Sequence, residues 1–232
     1  YREAVRLDER NLDGHLNLAR ALRMQGNQLA ALSEFDRALA LSSASADATL
    51  GRGLCLTDLG RLDEAEPVLR RAAEVAPNDA EPLVALGDLY RNRAGLYAEG
   101  DSLRAEHLNR AIETYREGIT RESAAAVSGV KLGLALVMVE RFHDAEIAYL
   151  QAVDRAPDFS AAHNGLGVAR MRQGRNAEAL VSFARARTLD DADPNPRLNS
   201  FLVLQSLMRR TEARVLAEEI RARWPELASV VG

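Results

Sequence analysis

Apolar residues recur at three- and four-residue steps along most of the chain, as in Leu86, Leu89, Tyr90 and again in Leu108, Ala111, Ile112. That spacing keeps them on one face of an α-helix. Superimposed on it is a much longer period. Alanines stand at Ala31, Ala65, Ala111, Ala145, Ala179 and Ala213, separated by 34 residues except for one step of 46. A second row of small residues runs Ala4, Ala38, Ala72, Gly118, Ala152 and Ala186, and a third runs Ala19, Gly53, Gly87, Gly133 and Gly167. Three rows of small residues sharing one period predict a stack of similar units whose helices approach closely at those points, where larger side chains would overpack the joint. Gly26, Gly60 and Gly174 fall where each unit must turn between two helices, a place that often needs positive φ. Each unit is therefore expected to be a pair of antiparallel helices. One pair cannot bury its own apolar face, so neighbours stack and share a core.

Other columns fit the same frame. Leu18, Leu86, Leu132 and Leu166 precede the small residue of the third row. Phe35, Leu69, Tyr115, Tyr149 and Phe183 sit four residues after the first-row alanine, and Pro77 and Pro157 close their units. This pattern resembles the tetratricopeptide repeat (TPR), W-x2-L-G-x2-Y…A-x3-F…P over about 34 residues. The tryptophan column departs from it, with His15, Thr49, Leu83, Gly129 and His163 there instead. The resemblance covers nearly the whole chain and implies an all-α fold, a right-handed α-α superhelix of antiparallel hairpins. The frame gives units at 12–45, 46–79, 80–125, 126–159, 160–193 and 194–227, with 1–11 the tail of a preceding one. Because the chain opens at Tyr1 in mid-pattern, without a methionine, it reads as a fragment lacking its native N-terminus.

Two units are irregular. The one at 80–125 has 12 extra residues around 94–107, with Gly100-Asp101-Ser102 reading as a turn and helix cap. Equal division of the insertion would lengthen each helix by roughly 9 Å at about 1.5 Å per residue. In the last unit Phe201 and Ile220 occupy columns that are small elsewhere, and Trp224-Pro225 is expected to cover the last helix end.

Composition narrows the function. Aromatics are 5% of a chain that is 47% hydrophobic, so the core is built from Ala, Leu and Val, which suits closely spaced helices. A net charge of −4 with both signs interspersed opposes a nucleic-acid partner, which calls for a basic patch. The apolar run near 132–139 is far short of a membrane span. Neither a signal peptide nor any other sign of compartment is legible.

Candidate chemistry is sparse. His15, His107, His143 and His163 are not spaced as metal ligands, and His15 and His163 fall at interior columns where packed core histidines are expected. Cys55, the single cysteine, reads as a buried inert thiol. The pairs Gly51-x-Gly53 and Gly165-x-Gly167 lack the third glycine and preceding strand of a phosphate loop. No catalytic constellation, metal site or cofactor is expected.

The resemblance places ligands on the concave face, along the first helix of each unit. Counted from each unit's start, positions 2, 5, 6, 9, 12 and 13 form the stripe opposite the packing face, at about 100° per residue. The candidate groove residues are Leu50, Leu54, Val84, Val130, Lys131, Leu134, Met138, Val168 and Met171. In the unit starting at Ala126 this helix is apolar on nearly all sides, so something is expected to cover it. Small Gly51, Ala85 and Gly165 at position 6 are read as room for an approaching backbone. The Lys and Asn pairs with which chaperone-binding TPR domains clamp a carboxylate are missing. These features predict a protein- or peptide-binding scaffold whose partner presents an apolar segment, or else a non-catalytic arm of a larger enzyme or regulator. Weak self-association through the ends of the stack is a further expectation.

Overall fold

The computed structural model describes residues 1–121 and 125–232, which form helices and turns with no strand among them. They group into two compact units, Tyr1–Ala125 and Ala126–Gly232. The first contains α1 (Arg2–Leu7), α2 (Leu12–Met24), α3 (Gln28–Leu41), α4 (Ala46–Asp58), α5 (Leu62–Val75), α6 (Glu81–Ala94) and α7 (Ser102–Ile119). The second contains α8 (Ala125–Met138), α9 (Phe142–Arg155), α10 (Ser160–Arg172), α11 (Asn176–Leu189), α12 (Asn195–Ser206) and α13 (Arg210–Arg223), then a 3-10 turn at Pro225–Leu227.

Within each unit the packing is that of stacked hairpins. In the first, α3 lies against both α2 and α4, and α5 against both α4 and α6; in the second, α11 lies against both α10 and α12. Local chemistry sets the helix ends. Asn11 and Ser45 cap α2 and α4 by accepting from Gly14 N and Ala48 N. Tight turns between paired helices put Gly26, Gly60 and Gly174 at φ of +77°, +72° and +78°. The equivalent turns of α8–α9 and α12–α13 hold Glu140 and Met208 in the same left-handed region, at +60° and +57°.

Apart from half-buried Ala4, the three rows of small residues are buried where helices cross, and the glycines of the third row face a specific side chain. Methyl groups at Gly87, Gly133 and Gly167 would strike the rings of Tyr115, Tyr149 and Phe183 in the facing helix of the same hairpin; at Gly133 the clash would be at 2.6 Å. Gly53 stands in the same relation to Leu69. Gly51 and Gly165 lie against Phe35 and Tyr149 of the preceding hairpin. Each Gly-x-Gly pair thus receives one side chain from its own hairpin and one from its predecessor. The expected room for a ligand backbone at Gly51 and Gly165 is therefore not there, because a ring fills it. Ala85 at the same position is buried as well.

The last hairpin inverts this arrangement. Phe201 stands on α12 where glycine or alanine stands elsewhere, and Ala217 stands on α13 in the column of Phe35, Leu69, Tyr115, Tyr149 and Phe183; both are buried in one cluster with Ile220 and Val231. Bulk has moved from the second helix to the first. Trp224 follows α13 and is flanked by the guanidinium groups of Arg197 and Arg223, 5.2 and 4.8 Å from the ring centre.

The long hairpin divides unequally, contrary to the equal split expected from its apolar spacing. Helix α6 has 14 residues, like its neighbours, whereas α7 has 18. Seven residues, 95–101, connect them. The periodicity of Leu96 and Tyr97 does not prolong α6, because the helix closes at Gly95. Asp101 caps α7 by accepting from Leu103 N at 2.8 Å, and Tyr97 in the connection stacks on His107 of α7.

Candidate functional site

The stripe proposed for a ligand is carried by the first helices, and the side chains that pack beneath it fix their positions. At two joints a buried carboxylate does this. Glu66 of α5 accepts from the Tyr90 hydroxyl of α6 at 2.9 Å, pairs with Arg70 at 2.6 Å and also binds Arg93. Glu146 of α9 accepts from Arg170 and Gln173 at 3.0 Å each and from Arg175 at 2.6 Å. Burial raises both carboxyls, but these donors outweigh it and hold them below the ordinary glutamate value. Other joints are apolar at the same column: Leu32 packs on the cluster that includes Ala48 and Cys55 of α4, and Leu180 on the one that includes Leu204 of α12. The sequence carries a sign of this, since the residue 24 positions after Glu66 or Glu146 is Tyr90 or Arg170, and 24 after Leu180 is Leu204. A reading confined to one column at a time misses it.

Each unit presents its own part of the stripe. In the first, Leu50 is buried, and Leu54 and Val84 are half-buried. In the second, Leu134 and Val127 of α8 are each 37% exposed, the most open of its apolar residues. Val130, Lys131 and Met138 are half-buried beside them. Val168 and Met171 of α10 are drawn inward, against Ala179, Phe183 and Val203. Among the candidate residues Leu134 is thus the most open, although Leu202 of α12, at the same position of its own unit, is 48% exposed. Between α10 and α12, Asn199 donates to Asn164 Oδ1 at 3.0 Å.

The remaining candidates sort by burial. His15 is buried, with Nδ1 2.6 Å from Glu34 Oε2 and Nε2 3.0 Å from the Glu9 carbonyl. His163 is only half-buried rather than a core residue, its Nε2 2.9 Å from the Pro157 carbonyl, because the ring leans over the preceding turn. Burial pushes the Cys55 thiol up to about 11, so it is protonated and inert. Among the described residues no group of His, Cys, Asp and Glu could hold a metal ion, and no helix is long and apolar enough to cross a membrane.

Comparison with known proteins agrees with this architecture. The structure superposes on PilW, a widely conserved type IV pilus biogenesis factor, with a TM-score of 0.77 at 17% identity, over 95% of this chain and 98% of that one. It superposes on a thermophilic TPR protein of Thermus thermophilus with a TM-score of 0.67 at 21% identity, over 84% and 99%. For YrrB, a TPR protein with an unusual peptide-binding site, the TM-score is 0.54 at 16% identity, over 84% and 94%. In sequence the chain is 27% identical to the tetratricopeptide repeat-containing protein trd-1 of Caenorhabditis elegans, over 64% of this chain. It spans only 21% of that relative's length. The family model described as Tetratricopeptide repeat matches residues 1–46, 16–81 and 130–195, more than half of the sequence. Period, hairpin packing and this match have one meaning: the chain belongs to the tetratricopeptide repeat family.

Proposed function

We propose that the chain is a non-catalytic scaffold that binds a protein or peptide along the concave face of its first helices. Proteins of this family serve generally as interaction scaffolds, and a peptide-binding site is named for YrrB, of the same fold. The observation that carries the reading here is α8, apolar on almost every side yet open at Val127 and Leu134. An apolar partner segment fits this surface, with Leu134, Val130 and Met138 as its anchors and Leu50, Leu54 and Val84 as the corresponding positions of the first unit. Lys131 would lie beside it, and Val168 and Met171 would support the edge. Burying one large aliphatic side chain contributes about 1.5–3 kcal/mol before ordering costs. A few such anchors give roughly micromolar affinity.

The test is capture from the source cell by wild type and Leu134→Asp side by side. The variant keeps its fold, since this side chain is partly exposed, but would bury an unpaired carboxylate under a partner. Loss of specific partners with Leu134→Asp is expected; equal recovery by both proteins refutes the site. A second reading, that the chain is a non-catalytic arm of a larger protein, draws on the small share of the curated relative that it spans. Weak self-association through the ends of the stack belongs to the same proposal, and a strictly monomeric sedimentation profile at high concentration would remove it.

A further inference from the structure

A groove of about 420 Å³ lies between α12, α13 and the segment that follows them. Its floor is apolar, made by Phe201, Ala217 and Val231, and its walls carry Arg210, Arg214 and Arg221. Among the described residues no aspartate or glutamate lines it. Two other grooves, of about 640 and 600 Å³, carry both signs: Glu74, Glu113 and Glu117 oppose Arg70 and Arg110 in one, and Glu9 and Glu34 oppose Arg2 and Arg37 in the other. The charged side chains that line this groove are all cations, in a chain whose net charge is −4, and they bias it toward anions.

The arginines are unequally committed. Arg221 donates to the Val231 carbonyl at 2.6 Å and so holds the segment that forms one wall. Arg214 reaches Glu218 at 3.0 Å with a side chain 81% exposed, an ion pair of little strength that a ligand can exchange. Arg210 has no carboxylate partner among the described residues. The position of Arg214 is informative in its own right. It occupies the joint column that holds Leu32, Glu66, Glu146 and Leu180 on other second helices. What packs on this column matches it in polarity: Leu204 lies in one cluster with Leu180, and Tyr90, Arg93, Arg170 and Gln173 donate to the two glutamates. By the same matching, a cation there calls for a carboxylate.

We propose that this groove is a docking site for an acidic peptide segment bearing one apolar anchor. The anchor enters over Phe201 and Ala217, and carboxylates on either side meet Arg210 and Arg214. The site is separate from the α8 stripe and does not depend on it.

Fluorescence anisotropy tests this with a labelled hexapeptide holding one phenylalanine among glutamates, and with a second peptide in which glutamines replace the glutamates. Saturable binding of the acidic peptide is expected at low salt, about tenfold tighter than its glutamine counterpart and weakening as salt rises. The double variant Arg210→Glu/Arg214→Glu, checked for unchanged helicity, should lower that affinity at least tenfold, whereas Leu134→Asp should leave it unchanged. Equal affinity for the two peptides, an unchanged affinity in the double variant, or no saturable binding overturns the proposal. So does a salt-sensitive dimer abolished by the double variant, because the occupant is then a second copy of the chain.

Discussion

Replacing Glu146 by leucine offers a direct measure of how a polar joint holds two hairpins together. In wild type its carboxylate binds Arg170, Gln173 and Arg175. Arg175 keeps its 2.5 Å pair with Glu178 and can turn to water. Arg170 is less free: its side chain is 19% exposed, and besides Glu146 it reaches, among the described residues, the Ser182 hydroxyl at 3.0 Å. Glu146→Leu therefore strands one largely buried cation, at a cost of about 2–4 kcal/mol. Arg170→Leu alone should cost less, about 1 kcal/mol, because the carboxylate retains Gln173 and Arg175. The double variant rebuilds the apolar joint already present at Leu180 and Leu204, so it should return to within about 1 kcal/mol of wild type. Urea denaturation followed by circular dichroism at pH 7 gives the four corners of the cycle, with an expected coupling of about 2–5 kcal/mol, the sum of the two single costs less that of the double variant. The pH dependence follows from the sign of the shift. The folded carboxyl lies below its unfolded value, so its contribution is complete above the ordinary glutamate range and is lost as pH falls through the folded value. Wild type should thus lose ground to the double variant on acidification below about pH 4. If Glu146→Leu and the double variant prove equally stable at pH 7, the stranded arginine is not the source of the cost.

Other substitutions probe the turns and the close crossings. Met208→Gly should stabilise by about 0.5–1 kcal/mol in a thermal melt, since it relieves a left-handed residue that is 68% exposed. Gly60→Ala, at φ +72°, should destabilise by about 1 kcal/mol or more although nothing crowds it. Gly165→Ala drives a methyl into the Tyr149 ring and should cost about 1–3 kcal/mol, with partial recovery when Tyr149→Leu is added; a silent Gly165→Ala would mean that the ring is not lodged there. Exchanging bulk in the last hairpin, Phe201→Gly with Ala217→Phe, should retain more stability by calorimetry than Phe201→Gly alone.

The helical fold and its period were legible because they rest on local rules: apolar spacing, small residues and turn glycines. Pairing across hairpins rests on no such local rule. Nothing in the column of Gly165 alone says that a ring from the preceding hairpin fills it, so by itself the column suggests open space. Val168 and Met171 were placed on the open stripe by helical angle, yet Phe183 and Val203 draw them inward. Glu140 and Met208 stand 34 residues before and after Gly174, so their left-handed turns could have been found by carrying that column along the chain. The uneven long hairpin was missed because Leu96 and Tyr97 continue the helical rhythm beyond the residue where the helix stops.

The lodging of Tyr149 has a consequence for how disorder spreads. Its ring is held by Gly133 of its own hairpin and Gly165 of the next, so one side chain belongs to two contacts at once. In a one-dimensional array, cooperativity depends on how strongly neighbours are coupled relative to the stability of each element. A shared ring puts part of both quantities into one group. Opening the α8–α9 hairpin frees the ring and thereby loosens α10, and stripping α10 away leaves Tyr149 half wrapped. Fraying that starts at either helix is transmitted to the other, so amide exchange across α8–α10 should report one opening event with one free energy.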